Sequence, residues 1–162
     1  MIIRKAKIKE AQEIARMWNE FMKEHDSKVI KKNKKAIPHV AKLSNSQSIF
    51  AEYINTCIRS KNASVHVAED DGKLVAYSLI KINKNIPVFK INTLGYFADL
   101  FVKKEYRGKG ISSKFRDLAI LWFKKKGIKY ISITVHPENE YAHSIYKKWG
   151  FFDFHVEMRT RI

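Results

Sequence analysis

At 162 residues the chain has the length of one domain, and 45% hydrophobic with 30% charged residues describes a globular protein rather than a disordered one. The formal net charge of +16 rests on 25 lysines and only 7 arginines. Arginine carries the planar fork that reads bases and phosphates, so its scarcity makes nucleic acid an unlikely partner. The single cysteine, Cys57, excludes an intrachain disulfide. With no signal-like leader and no apolar run of about 20 residues, a cytoplasmic protein that does not enter the membrane is expected.

In chain order, Ile2 to Lys7 is short and β-compatible. Ile14, Met17, Trp18 and Phe21 recur at helical spacing between Lys9 and His25. The basic stretch from Lys28 to Lys42, with Pro38, reads as a connector. Ser44-Asn45-Ser46 offers N-caps for a helix through Phe50, Ile54, Cys57 and Ile58. Strands over 65–68 and 74–82 flank Asp70-Asp71-Gly72-Lys73, whose Asp-Gly step favours a tight hairpin. A loop over 84–94 precedes an apolar strand over 96–102 that only Asp99 interrupts. A helix over 110–126, a strand over 130–135, a helix over 137–149 and a last strand over 151–160 complete the pattern. The order implies a mixed sheet with helices on both faces, and a parallel, right-handed βαβ unit joins the strands at 96–102 and 130–135.

The richest segment runs from Asp99 through Leu100, Phe101 and Val102 to Arg107-Gly108-Lys109-Gly110-Ile111-Ser112. A buried strand enters a turn of glycines and cations, and the turn opens a helix. Helix N-termini present unpaired N–H groups and a positive dipole end, which suits phosphate. Gly108 and Gly110 allow close backbone approach, and Arg107 and Lys109 add charge. The spacing lacks the Gly-Lys-Ser/Thr of a Walker loop and the third glycine of a dinucleotide fingerprint. A plain strand-to-helix turn would use the same glycines, so the turn alone leaves two readings open.

Arg107-x-x-Gly110-x-Ser112, after a strand ending in Val102, resembles the Gln/Arg-x-x-Gly-x-Gly/Ala motif of the GNAT family of N-acetyltransferases. Ser112 departs from the family's Gly or Ala but is small and can donate to phosphate. Downstream, Asn139, Ala142, Tyr146, Gly150 and Phe151 fall at each spacing of the family's second motif, Asn-x-x-Ala-x-x-x-Tyr-x-x-x-Gly-Phe. The two motifs together cover about residues 96–151.

The resemblance implies acetyl-coenzyme A as acyl donor. Residues 107–112 would hold its pyrophosphate, Leu100, Phe101 and Val102 would line its pantetheine arm, and Asn139 and Ala142 would touch that arm. Tyr146 would protonate the departing thiolate. From the residues alone, Tyr146 also fits a packing stripe with Ala142, Ile145 and Trp149. Many relatives carry a glutamate base on the strand before the first motif. Here Ala98-Asp99 leaves Asp99 as the candidate, with Glu24, His25 and Asp26 behind it. A carboxylate in an apolar strand needs a partner or a function.

No histidine spacing suits a metal, His136 and His143 read as surface or capping residues, and Cys57 reads as inert core. The expectation is one N-acetyltransferase domain over residues 1–162. Its fold is α/β (α+β), a mixed, mostly antiparallel twisted sheet with a central parallel βαβ unit. It would acetylate a primary amine of a small molecule, protein N-terminus or lysine in a ternary complex, and it is compatible with a homodimer. The lysine-rich segment Lys28–Lys35 would favour an acceptor with a negative group beside its amine. A basic nucleic-acid- or ribosome-associated binder on the same fold, without turnover, is the alternative.

Overall fold

A computed structural model describes all 162 residues. Five strands, β1 (Ile2–Lys5), β2 (Ala63–Asp70), β3 (Lys73–Lys84), β4 (Thr93–Val102) and β5 (Ile131–Ile133), form one sheet in the order β1-β2-β3-β4-β5. Every neighbour pair is antiparallel except β4 with β5. The parallel pair therefore closes one end of the sheet. The β2–β3 hairpin turns where Asp-Gly requires it, with positive φ at Asp71 and Gly72.

Helices α1 (Ala11–Lys32) and α3 (Ser46–Arg59), joined through the one-turn α2 (Ile37–Val40), cover one face. Ile14, Met17, Phe50 and Ile54 from these helices pack with Val65, Val67, Tyr77, Leu79 and Phe101 of the sheet. Helix α4 (Ile111–Lys125) covers the other face, where Ile111 and Phe115 meet Val75 and Ala76, and Ala119 and Phe123 meet Ile80 and Phe97. Helix α5 (Glu140–Lys148) follows β5 and buries none of its residues fully.

Two expectations need correction. Residues 28–32 are not connector but the end of α1, and the next turns are also helical. Val29, 1% exposed, anchors that extension despite the lysines around it. Residues 151–160 form no strand: Phe151 is half-buried, residues 152–160 are exposed, and no backbone ladder joins them to the free outer edge of β5.

Strand β4 packs tightly on helix α4 at Gly95, where a Cβ would lie 2.7 Å from the ring of Phe123, itself 0% exposed. Gly95→Ala should therefore cost about 1–3 kcal/mol through overpacking, read as a lower urea midpoint with unchanged m.

Candidate active site

The sheet opens beside β4. β5 pairs with β4 only over Gly95–Phe97 against Ile131–Ile133. Just beyond, β4 carries an extra residue: Leu79 faces Asp99 while Ile80 faces Phe97, so Ala98 bulges. The strands separate there, and residues 99–102 keep a partner only on the β3 side. Lys103 donates to the Val75 carbonyl at 3.0 Å. By the alternation of an antiparallel ladder, Phe101 and Asp99 also bond toward β3, and Leu100 and Val102 turn their amides to the open side. The ring of Phe101 is buried in the core, so this residue lines the gap least.

Beyond Val102 a 3-10 turn (Lys104–Tyr106) leads to Gly108 and Gly110, with φ of 77° and 75°. None of the N–H groups of residues 108–110 donates to a backbone carbonyl. The first bond of α4 is Lys114 N–H to Gly110 C=O at 3.1 Å, which leaves the N–H groups of Ile111, Ser112 and Ser113 unused in the ladder. No side chain caps this helix start, and a Cβ at either glycine would meet open space. Gap and helix mouth are continuous along the chain.

The arginine is placed differently from expectation. Arg107 donates through Nε to the Val102 carbonyl (3.0 Å) and through its other nitrogens to Glu24 (3.0 and 2.6 Å). Its charge is thus spent on α1 rather than on the turn. Lys109 lies over the Tyr106 ring at 4.7 Å. Arg107 first, and then Lys28, hold the Glu24 carboxyl down at about 2, which makes it a poor proton acceptor. Asp26 accepts from both His25 and Lys42.

Helix α1 also meets the second motif. His25 and His136 lie 5.0 Å apart, and Lys32 pairs with Glu140 at 2.5 Å. Asn139 caps α5, its side-chain oxygen accepting from Ala142 N–H at 3.4 Å. Tyr146 packs against Trp149 (5.6 Å) and Phe151 (6.3 Å), and burial pushes its phenol up to about 12. His143 is a surface residue that pairs with Asp153 at 2.7 Å.

Asp99 lies on the α1/α3 side of the sheet. Burial pushes its carboxyl up to about 7, against the opposing pull of the Lys81 ammonium. Tyr77, wholly buried with no partner for its hydroxyl, stands close by and is itself pushed up, by burial first and then by Asp99. Lys81 lies 5.4 Å from the ring centre of Tyr53 and 6.0 Å from that of Tyr96. Burial also raises the Cys57 thiol, consistent with a core residue. Sequence reasoning singled out Asp99 but missed Tyr77 and Lys81. Their shared parity with Leu79 along β3 was a usable signal, but the Ala98 bulge that sets them against Asp99 was not.

The fold is thus that of a mixed sheet splayed at a strand bulge, with a glycine-rich helix mouth at the end of the split. The sequence profile of the acetyltransferase (GNAT) family matches residues 14–151, and the chain belongs to that family. A 57-residue stretch, 35% of this chain and 38% of the relative, is 39% identical to N-alpha-acetyltransferase 30 of Schizosaccharomyces pombe. The match thus spans well under half of that curated protein. Among solved structures, a mutant of the BH1408 protein of Bacillus halodurans superposes with a TM-score of 0.81 at 23% identity, covering 100% of this chain and 99% of that one. The aminoglycoside 6'-N-acetyltransferase AAC(6')-IG of Acinetobacter haemolyticus gives 0.73 at 15%, covering 100% and 99%. A predicted acetyltransferase from Clostridium acetobutylicum, solved with acetyl-CoA, gives 0.73 at 18%, covering 99% and 95%. No helix is long and apolar enough to cross a membrane.

Proposed function

We propose that this acetyltransferase takes its acetyl group from acetyl-coenzyme A and passes it directly to a primary amine of a small molecule or a protein N-terminus. The observation that carries this is the continuity of two unsatisfied backbone surfaces: the open side of β4 at Leu100 and Val102, and the N–H groups of residues 108–113 at the mouth of α4. An extended, amide-bearing arm suits the first, and a pyrophosphate suits the second. Positive φ at both glycines, with open space where each Cβ would stand, fits a phosphate lying against the backbone. Ser112 is partly buried at the same helix start and has a hydroxyl to offer. Arg107 serves by fixing the turn to α1.

The donor supplies the activated acetyl thioester. Asp99 accepts the proton that the amine gives up as its lone pair attacks, and its carboxyl near 7 suits that task at neutral pH. Tyr146 keeps its proton throughout the neutral range and directs it at the sulfur that leaves. Nothing in this scheme needs a covalent acyl-enzyme, and the buried Cys57 stays out of it.

Acetyl-CoA should raise the melting temperature in proportion to the logarithm of its concentration above Kd. Gly110→Leu should abolish most of that shift. The variant forces leucine into a left-handed conformation at about 1–2 kcal/mol and projects a side chain over the helix mouth. Gly127→Leu, with φ of 72° at the far end of α4, carries the same backbone cost and should keep the shift. An unshifted wild-type protein at millimolar acetyl-CoA would refute the proposed function.

For the acceptor, Lys28 and Lys32 are paired with Glu24 and Glu140, whereas Lys31, Lys34 and Lys35 make no ion pair. This leaves a local excess of positive charge at the end of α1. We therefore expect free amino acids or peptides to be acetylated faster than spermidine in a thiol-release assay. Spermidine as the preferred substrate would shift recognition to Asp99.

A further inference from the structure

Lys81 is half-buried beside the candidate base. It stands on β3 opposite Tyr96 of β4, while Leu79, two residues earlier, stands opposite Asp99. In an unbroken ladder Tyr96 and Asp99 would point to opposite faces of the sheet. The Ala98 bulge brings both to the α1/α3 side and makes Lys81 the diagonal neighbour of Asp99. The ammonium of Lys81 sits between two rings, 5.4 Å from the centre of Tyr53 on α3 and 6.0 Å from that of Tyr96. The Tyr96 hydroxyl in turn donates to Thr134 Oγ1 at 3.3 Å, just past the end of β5. The group therefore borders the split between β4 and β5.

Two opposite charges thus flank one space without touching. Lys81 bears on the Asp99 carboxyl through that space, yet it forms no ion pair with Asp99 or with any other acid. Lys81, Tyr96 and Asp99 are each partly open to solvent, so a ligand can enter between them.

We propose that Lys81 selects the acceptor: its ammonium holds the carboxylate of a free α-amino acid whose amine is presented to Asp99. This rests on the acetyl transfer proposed above and names the substrate class for it. Diagonal neighbours of an antiparallel pair lie about 7–8 Å apart. An α-amino acid carries both charges on one carbon and, with a hydrogen bond of about 2.8 Å at each end, bridges a gap of that order. A peptide N-terminus offers a neutral carbonyl in place of the carboxylate and leaves the half-buried ammonium without a counter-charge. A polyamine offers a second cation, which Lys81 repels. The lysines at the end of α1 attract anionic acceptors at long range, but Lys31, Lys34 and Lys35 are exposed and fix no geometry. The rings of Tyr53 and Tyr96 limit the hydration of the Lys81 ammonium, which strengthens its contact with a carboxylate.

The test compares matched acceptors, the common L-amino acids against their amides, by thiol release at saturating acetyl-CoA. For the best amino acid, kcat/KM should exceed that of its amide by at least about tenfold, the effect of one hydrogen bond between charged groups. The amine of the amide gives up its proton more readily, so intrinsic reactivity runs the other way. Lys81→Gln should remove the preference, chiefly through a higher KM for the acid, and Lys81→Arg should restore it. A Lys81 that only packs, or only tunes Asp99, would change acid and amide alike and leave their ratio intact. Equal kcat/KM for acid and amide in the wild type overturns the proposal, as does a preference that survives Lys81→Gln. A protein that shows the acetyl-CoA thermal shift but turns over none of the free amino acids overturns it too, and leaves donor binding standing. Absence of both shift and thiol release would instead refute the acetyl transfer on which it rests.

Discussion

Tyr146→Phe is expected to lower kcat by about 10²-fold with little change in the KM for acetyl-CoA. The variant keeps the ring, so the contacts with Trp149 and Phe151 persist and α5 should remain in place. Only the phenolic proton is lost. Its value lies in timing. With a pKa near 12, Tyr146 would give its proton to an ordinary thiolate, of pKa about 8.5, only uphill in the free protein. In the proposed mechanism the phenol would therefore act chiefly by donating a hydrogen bond as negative charge grows on sulfur, an interaction made in the transition state and absent before it. Such an interaction moves kcat rather than KM. If Tyr146→Phe instead leaves kcat unchanged and lowers the melting temperature, Tyr146 is a packing residue of the Ala142–Trp149 stripe.

The course of the chain was largely legible from local pattern because each cue is local. Asp71-Gly72 marks a hairpin, and the positive φ at Gly110 and Gly127 brackets α4. What escaped is what tertiary contact decides. Lysines at 28, 31 and 32 look like connector, yet the burial of Val29 and the pairing of Lys32 with Glu140 continue α1 by two turns. Arg107 looks like a phosphate ligand, yet Glu24, 83 residues away in sequence, claims it. The alternation in 152–158 was visible, and it implies a strand. Whether a strand forms depends on a ladder, and residues 152–160 make none with the outer edge of β5, although Phe151 packs beside it. Asp99 stands out because a carboxylate in an apolar strand is conspicuous. Its neighbours Tyr77 and Lys81 were not found, because the register at Ala98 is a property of the sheet rather than of either strand.

Asp99→Asn tests both the chemistry and the cost of holding that carboxylate. As the base, Asp99 works only when ionised, so wild-type kcat/KM should rise with pH and level off above about 7. The asparagine variant should lose about 10²-fold and the pH dependence with it. Stability should move the opposite way. The folded-state pKa lies above the unfolded value of 3.8, so between the two the folded protein holds a proton that the unfolded chain releases. The stabilising effect of that proton is complete below about pH 4 and is lost as pH rises through about 7. The rise from 3.8 to about 7 corresponds to at most about 4 kcal/mol, with the attraction of Lys81 already included. Asp99→Asn should therefore match the wild type in urea denaturation at pH 4 and exceed it at pH 8. A variant that is less stable at pH 8 would mean that Asp99 is held ionised by Lys81, as a structural pair. A flat wild-type pH–rate profile with unaltered activity in the variant would move the search for the base to His25, which stands 5.0 Å from His136 where α1 meets the second motif.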